Sequence, residues 1–219
     1  MKYIYETHCH TMENSRCSRI TAKELVELYV SKNYTGIVIT DHFTGPTTVP
    51  SYYNWKERVE HFHQGFEAAK NEGEKLGLDV FFSLEYTDLG NDFLLYGIER
   101  DFLLENPDLP EIGMTAVLQR AREAGAFIIH AHPFLEADYI DSIRLVPNHV
   151  DAVEVMNVYK GENYNKRALW YAEEYGLLKT GGSDMHHFNQ KLSGITVEHR
   201  AESILDLAEQ IKAGKSEIL

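Results

Sequence analysis

The sequence predicts an α/β domain in which parallel strands alternate with crossover helices. Two observations support this class. Short apolar runs alternate with helix-like stretches along the whole chain, an order typical of parallel sheets. Histidines and carboxylates directly follow five of the apolar runs. Because the carboxyl ends of parallel strands meet on one face, these polar groups are expected to lie together.

Strands are expected at seven short apolar runs, each with the length of a buried strand. They cover residues 3–5, 36–40, 80–84, 93–97, 127–129, 152–155 and 177–180.

Helices are expected between the strands. The clearest begins at Thr21, because Glu24 stands three residues later and completes a capping box. Leu25, Leu28 and Tyr29 then form its buried stripe. Three more helices are each followed by a glycine that ends them: residues 55–76 before Gly77, 115–124 before Gly125, and 201–213 before Gly214.

Length and composition indicate one soluble domain covering residues 1–219. The chain shows no linker or repeat, and no apolar run approaches the roughly 20 residues of a membrane span. Glu6 interrupts the apolar start, so a signal peptide is not expected and a cytoplasmic location is. Cys9 and Cys17 would enclose only a tiny loop, so reduced thiols are expected. A net charge of −13 disfavours binding to duplex nucleic acid.

Two His-x-His pairs follow apolar strands. His8 and His10 share one strand face, so both imidazoles can reach one ion. An isolated pair of this kind is a weak signal. His132 is the stronger ligand candidate of the second pair, whereas His130 is at least as well explained as a buried, hydrogen-bonded histidine.

Carboxylates complete the pattern. Glu85 ends a buried strand and is the candidate to bridge two cations, the alternative being a salt bridge. Asp41 precedes His42 and either orients a histidine or caps a turn. Asp184 and His186 follow the last strand, and Gly181 and Gly182 are expected to bend the backbone so that Asp184 points inward. Mixed carboxylate and imidazole ligands suit Zn²⁺, Mn²⁺ or Fe²⁺ better than Mg²⁺.

The ordered segments HCHT, ITDH, LEYT, HAHP, EVMN and GSDMH resemble the PHP family, named for polymerase and histidinol phosphatase. The resemblance spans residues 8–186. It implies a distorted seven-stranded (β/α) barrel, similar to a TIM barrel, with a metal site at the carboxyl ends of the strands. It also implies two or three divalent ions and hydrolysis of phosphoesters by metal-bound hydroxide.

The resemblance implies a set of ligands for each ion. His8, His10, Glu85 and Asp184 would hold one ion, Glu85 and His132 a second, and His42 and His186 a third. Asp92 stands where the family often has histidine and can still ligate. Asp184, His186 and His42 are the candidate catalytic residues, and either histidine or a metal-bound water could protonate the leaving group.

Two further features depart from the family pattern. An acid or histidine expected near Ser15 is absent, so the third ion lacks a ligand. Cys17 is a chemically suitable substitute, but packing as a small buried residue is the preferred interpretation. The arginine that often follows the His-Pro pair is also absent, which leaves Arg16, Lys160 and Arg167 as candidates for binding substrate phosphate.

The function expected from these residues is hydrolysis of a small phosphate monoester. The alternatives are amidohydrolase chemistry on a carbonyl substrate and a non-catalytic metal-binding PHP module. Substrate specificity is expected in loops, with residues 43–53 as one wall. Tyr52, Tyr53 and Trp55 offer stacking surfaces, although aromatic packing under a loop is the more common explanation for such residues. Neither the physiological substrate nor the oligomeric state follows from the sequence.

Overall fold

The fold consists of two five-stranded sheets with helices packed around them, as seen in a computed structural model that describes residues 2–43 and 54–219. Ten of the eleven residues expected to form a specificity wall, 44–53, lie outside the described residues, as do Tyr52 and Tyr53. Within the described ranges, no helix is long and apolar enough to cross a membrane.

The first sheet contains the amino-terminal strand. Its strands in spatial order are β10 (Ser216–Ile218), β9 (Ile195–Val197), β1 (Tyr3–Cys9), β2 (Gly36–Ile39) and β3 (Asp79–Phe82). β1, β2 and β3 are parallel, whereas β9 runs antiparallel to both β1 and β10.

The second sheet carries the remaining strands. In spatial order they are β4 (Glu85–Asp88), β5 (Asn91–Tyr96), β6 (Phe127–Ala131), β7 (Ala152–Asn157) and β8 (Leu178–Gly182). β6, β7 and β8 are parallel, but β5 runs antiparallel to β4 and β6. The expectation of parallel strands throughout is therefore wrong at β5 and β9.

The expected seven-stranded (β/α) barrel is also wrong, because the strands of residues 2–43 and 54–219 form two separate sheets. All seven predicted strands exist, but β4, β9 and β10 were missed. β9 pairs with the edge of β1 from Tyr3 to Tyr5, and the segment after β8 pairs with the far end of β1 at the isolated Cys9–Met185 bridge. The two sheets also meet at the isolated His42–Glu85 bridge. It lies where the chain leaves β3 and enters the second sheet at β4. Both bridges adjoin predicted ligands.

The helices largely follow the sequence pattern. Their bounds are α1 (Ala22–Ser31), α2 (Trp55–Phe62), α3 (Gln64–Leu76), α4 (Arg100–Glu105), α5 (Met114–Glu123), α6 (Glu162–Tyr175) and α7 (Ile204–Lys212). The Thr21–Glu24 capping box is confirmed. The single helix expected over 55–76 is instead two helices that meet at His63, and α4 and α6 were not predicted.

The apolar core of the described residues is divided into four clusters. One cluster packs α2, α4 and α5 onto the second sheet, and another packs α7 against strands of both sheets. A third cluster holds α1 and α3 against β1 and β2 and includes Cys9. These clusters fix the strand ends from which the candidate ligands project.

Candidate metal centre

All eight predicted metal ligands converge at the ends of strands from both sheets. They are His8, His10, His42, Glu85, Asp92, His132, Asp184 and His186. Seven are buried and His42 is partly buried. Charged groups enter an interior at a large cost unless they are paired or bind ions, so this gathering requires a functional explanation.

Glu85 lies at the centre of the cluster. Its Oε1 is 3.3 Å from His8 Nε2 and 3.2 Å from His132 Nε2, and its Oε2 is 2.7 Å from His42 Nδ1. The two oxygens therefore face different histidines, as a carboxylate that bridges two cations must. The alternative considered for Glu85, a salt bridge to lysine or arginine, does not describe these contacts.

Asp184 is the second shared carboxylate. Its Oδ1 is 3.3 Å from both His10 Nε2 and His186 Nδ1, and its Oδ2 is 3.7 Å from His132 Nε2. Lys160 Nζ lies 2.8 Å from the same Oδ2. Asp184 thus touches ligands that the resemblance assigns to different ions.

The ligand atoms form four overlapping groups of three whose members lie within 4.8 Å of one another. The groups are His8/His10/Glu85, His8/His132/Asp184, Glu85/Asp92/His132 and His10/His42/His186. Among the described residues, buried Nε2 of His8 and His10 and Oδ1 of Asp92 have no hydrogen-bond partner, and the two oxygens of Glu85 lie near His8, His42 and His132 without hydrogen-bond geometry. Atoms of this kind, facing one another, fit divalent cations better than they fit a hydrogen-bond network.

Two of the ligands have backbone conformations that side chains rarely adopt. φ is 27° at His132 and 49° at Asp184, both in the left-handed region. Such conformations concentrate at functional sites, where the surrounding structure holds them. The turn at His132 also separates the two histidines of the His130–His132 pair, which therefore do not share one face.

His130 is neither a ligand nor the hydrogen-bonded histidine considered from the sequence. Its ring stacks on Phe93 at 4.6 Å and meets Tyr171 edge-on at 5.8 Å. Neither ring nitrogen finds a partner within the described part of the chain. Burial lowers the pKa of His130 to about 3, so it is a neutral aromatic packing residue.

Gly181 and Gly182 contribute in a way that differs from the expectation. Both belong to β8, and the sharp bend lies at Asp184 itself. A Cβ on Gly182 would come within 2.7 Å of His8 Cβ and 2.8 Å of Glu154 Oε1. The glycine therefore allows β8 to approach β1 and bring Asp184 beside His8.

Glu154 and Asn157 are site residues to which the sequence interpretation gave no role. Glu154 Oε1 lies 2.9 Å from His8 Nδ1, and Oε2 accepts a hydrogen bond from the His132 backbone N–H at 3.1 Å. Asn157 Nδ2 donates to Glu154 Oε2 at 2.8 Å and to Asp184 Oδ2 at 3.3 Å. The available signal was a glutamate inside an apolar strand, within the EVMN segment.

Asp41 fastens the loop that follows β1. It accepts hydrogen bonds from the Thr11 backbone N–H at 2.7 Å, from Thr11 Oγ1 at 2.6 Å and from Ser15 Oγ at 2.6 Å. Ser15 Oγ in turn lies 3.3 Å from His10 Nδ1 and accepts from the His42 backbone N–H at 3.0 Å. Asp41 therefore orients His10 through Ser15 and not by direct contact.

The close packing of acids and bases shifts the pKa values of both. Burial raises the pKa of Glu85, but His42 and His8 outweigh it and hold the pKa well below its usual range. Burial and the nearby Glu85 raise the pKa of Asp92. Burial lowers the pKa of His186, but hydrogen bonds to Asp184 and Cys17 outweigh it and raise the pKa to about 9. Strongly shifted groups in one cleft are characteristic of functional sites.

A cavity of about 710 Å³ opens over the cluster. Its wall includes ligands together with apolar and aromatic side chains, namely Leu89, Leu135, Tyr139 and Tyr159. Tyr159 stacks on His186 at 5.6 Å. This volume lies within the range of small-molecule sites, roughly 300–1,000 Å³.

The structure separates the three candidate phosphate-binding cations. Lys160 lines the cavity beside Asp184. Arg167 instead pairs with Glu136 at 2.6 Å and lies over the ring of Phe134. Arg16 is exposed, and the described cavity wall contains neither arginine.

No family model and no curated protein sequence matches this chain. Solved structures do match it, with low sequence identity. A two-domain protein from Bacteroides vulgatus that contains a predicted PHP-like metal-dependent phosphoesterase is 18% identical, with a TM-score of 0.73 over 100% of this chain and 65% of the other. The lesion-specific endonuclease EndoQ from Pyrococcus furiosus is 14% identical, with a TM-score of 0.64 over 100% of this chain and 58% of the other.

An amidohydrolase from Chromobacterium violaceum, with bound sulfate and no metal, is 12% identical, with a TM-score of 0.58 over 99% of this chain and 97% of the other. The chain thus spans less than two thirds of the first two structures. At these identities the comparison establishes the fold: the chain shares the fold of proteins described as PHP-like, which confirms the resemblance at that level.

Proposed function

We propose that this chain is a metal-dependent phosphoesterase that hydrolyses small phosphate monoesters. The observation that carries the proposal is the cluster of four overlapping ligand groups beneath one cavity. Each of Glu85, His8, His10 and His132 belongs to two of these groups. Fold neighbours described as a PHP-like phosphoesterase and as an endonuclease support phosphoester chemistry on this fold.

The residues fit two or three divalent ions. Carboxylate oxygens combined with imidazole nitrogens suit Zn²⁺, Mn²⁺ or Fe²⁺. Glu85 presents one oxygen toward His8 and His132 and the other toward His42, an arrangement suited to ions placed side by side. Divalent ions at such a site acidify a bound water and neutralise charge on the phosphoryl oxygens.

Lys160 is proposed to bind the substrate phosphate. Burial lowers the pKa of Lys160, but the Asp184 carboxylate outweighs it and raises the pKa, so the ammonium stays charged. Its Nζ is also held over the Tyr159 ring, 4.6 Å from the centroid. A charge fixed at the cavity wall can pair with a phosphoryl oxygen without first being ordered.

The preference for small esters rests on charge and cavity shape. The net charge of −13 opposes the approach of a polyanion, since binding a nucleic acid backbone depends on releasing counterions from many phosphates. A cavity of about 710 Å³ holds one small substrate. Because one of the fold neighbours is an endonuclease, an oligonucleotide is the alternative substrate against which small esters should be compared.

The test begins with chelator-treated protein reconstituted separately with Zn²⁺, Mn²⁺ and Fe²⁺. Release of nitrophenol is measured from p-nitrophenyl phosphate, from the bis-p-nitrophenyl diester and from p-nitrophenyl acetate, and nucleotide release is measured from single-stranded DNA. We expect metal-dependent turnover that is fastest for the monoester and is lost in Asp184→Asn. Activity that survives in Asp184→Asn would reject the site.

The same panel distinguishes the alternatives. Faster metal-dependent turnover of the acetate would indicate amidohydrolase-type chemistry at carbonyl carbon. Stoichiometric metal binding without turnover of any substrate would indicate a non-catalytic module. Faster cleavage of DNA than of the monoester would keep phosphoester chemistry but reverse the substrate class.

A further inference from the structure

The loop between β1 and α1 places Cys17 at the wall of the cavity that His42 and His186 also line. Met12 N donates to Ile20 O at 2.8 Å and closes the base of this loop. Arg19 N donates to His186 O at 2.8 Å, which ties the loop to the segment carrying that histidine. Backbone hydrogen bonds on both sides of Cys17 therefore fix where its side chain begins.

The Cys17 thiol contacts one imidazole directly and shares the cavity wall with another. Its Sγ lies 3.2 Å from His186 Nε2, and His42 lines the same cavity. The side chain is partly exposed and lines the cavity. None of the core clusters formed by the described residues includes Cys17, so the expectation that it packs as a small buried residue does not describe its surroundings.

The other cysteine illustrates the structural role that Cys17 lacks. Cys9 is fully buried in the core cluster of α1, and its Sγ donates to Val38 O at 3.2 Å. Both thiols are free. The chain thus contains one cysteine that packs in the core and one that faces the candidate ligands.

Ser15 is already engaged by other groups. Its Oγ donates to Asp41 Oδ1 at 2.6 Å and accepts from the His42 backbone N–H at 3.0 Å. Two residues further on, the same loop presents the free thiol of Cys17 to the cavity.

A second observation independently indicates an ion at this end of the cluster. His10, His42 and His186 form one of the four ligand groups, and the His10 ring lies 4.4 Å from that of His42 and 4.3 Å from that of His186. His10 is fully buried, and its Nε2 has no hydrogen-bond partner among the described residues. Three imidazoles so close together, one with an unpaired nitrogen, are typical of a metal site.

We propose that Cys17 is a metal ligand that would hold one divalent ion together with His42 and His186. A thiolate adds a negative charge and a soft donor to two neutral imidazoles, and thereby supplies the third protein ligand that zinc sites require. This ligand set selects Zn²⁺, Co²⁺ or Fe²⁺ over Mn²⁺ and Mg²⁺. The inference deepens the proposed function and rests on it, because Glu85 and Asp184 would hold the neighbouring ions.

Cobalt substitution tests the ligand directly, without measuring activity. Chelator-treated full-length protein is titrated with Co²⁺ under anaerobic conditions, and the near-ultraviolet thiolate-to-cobalt charge-transfer band is recorded together with bound cobalt per chain. We expect the band in wild type and in Cys9→Ala, and its complete loss in Cys17→Ser with one fewer tightly bound ion. Cys17→His should restore the ion without restoring the band.

The outcomes separate this inference from the proposed function. Wild type that binds two or more cobalt ions without a thiolate band overturns the role of Cys17 and leaves the metal centre intact. Wild type that binds no cobalt overturns both. A Cys17→Ser protein that still binds the same number of ions with wild-type affinity also overturns the inference, and circular dichroism verifies that this variant is folded.

Discussion

His8 Nδ1 and Glu154 Oε1 lie 2.9 Å apart, with both side chains fully or almost fully buried. A carboxylate at this position accepts the Nδ1 proton and leaves Nε2 free to bind a metal ion. His8 Nε2 faces Glu85 at 3.3 Å and Asp184 at 3.6 Å. Glu154 thus selects the tautomer that presents a nitrogen to the other ligands.

Replacing Glu154 by glutamine is expected to weaken metal binding without removing a ligand. The new amide would place N–H groups against the His132 backbone N–H and Asn157 Nδ2, which now donate to Glu154 Oε2. Loss of such a supporting carboxylate typically reduces metal affinity about 10- to 100-fold. Chelator competition with Zn²⁺ measures the change, and Glu136→Gln on the surface is the matched control. Equal affinities in wild type and Glu154→Gln would exclude this positioning role.

The convergence of seven of the eight candidate ligands could be predicted from the sequence because they follow predicted strands, whose carboxyl ends meet in an α/β fold, whereas Asp92 lies in β5 and was named only from the family resemblance. Glu154 received no role because it stands within a strand, where sequence alone does not show which side chains it meets. The split between His130 and His132 was hidden for a similar reason, since it depends on the positive φ of His132. Tertiary contacts decide both cases.

Barrel closure was mispredicted for a different physical reason. β9 and β10 have three residues each, too few to show a periodic pattern, and only two residues separate β4 from β3. β9 nevertheless occupies the edge of β1 that a closed barrel would offer to β8. Short strands of this kind can change the topology of a sheet while leaving the positions of the ligands unaffected.

Asp184→Asn and His132→Ala are each expected to lower turnover of a phosphate monoester by at least about a hundredfold, because each removes a metal ligand. Asparagine suits the test at position 184, since it tolerates the positive φ that the native residue adopts. Asp101→Asn, an exposed change, is the control. Near-wild-type activity in both ligand variants would remove the proposed site.

Elemental analysis of purified protein is expected to show at least two transition-metal ions per chain, because eight candidate ligands converge on one site. Removal of these ions should lower thermal stability, since ions that bind only the folded state stabilise it by mass action. Differential scanning fluorimetry before and after chelation measures this shift. Less than one ion per chain after expression in metal-supplemented medium would contradict the expectation.

Lys160→Ala is expected to reduce kcat/KM for a phosphate monoester by about 10- to 100-fold, the effect of losing one hydrogen bond to a charged group of about 1.5–3 kcal/mol. Lys160→Arg should retain part of the activity because it keeps the charge. Arg167→Ala, which breaks the surface pair with Glu136, should leave kcat/KM unchanged. If Arg167→Ala proved the more damaging change, phosphate recognition would have to be reassigned.

His63 provides a test of how stability depends on pH, away from the candidate ligands. It is buried where α2 meets α3, stacks on Phe82 at 4.4 Å, and its Nδ1 lies 3.0 Å from Val59 O. Burial lowers the pKa of His63 below its usual value. The folded state therefore binds fewer protons than the unfolded state once the pH falls below about 6.5, the ordinary pKa of histidine.

The lower pKa of His63 in the folded state has no effect on stability above about pH 6.5. As the pH falls from there toward the folded-state pKa, the free energy of unfolding decreases by at most about 1.4 kcal/mol per pH unit. His63→Phe keeps the stacking but cannot take up a proton, so its free energy of unfolding should fall less than that of wild type between pH 8 and pH 5.5. At pH 8 the variant should be less stable by about 1 kcal/mol, because it loses the hydrogen bond to Val59 O.

Urea unfolding of chelator-treated protein at several pH values measures both effects, and comparing variants cancels the titration of the candidate ligands common to them. His199→Asn, which removes an exposed histidine, controls for the loss of any imidazole. If the difference in free energy of unfolding between wild type and His63→Phe stayed constant across this pH range, protonation of His63 would not be a source of lost stability. Because His63 is buried against Phe82, charging its imidazole in this apolar environment costs free energy. We therefore expect the difference in free energy of unfolding between wild type and His63→Phe to narrow as the pH falls.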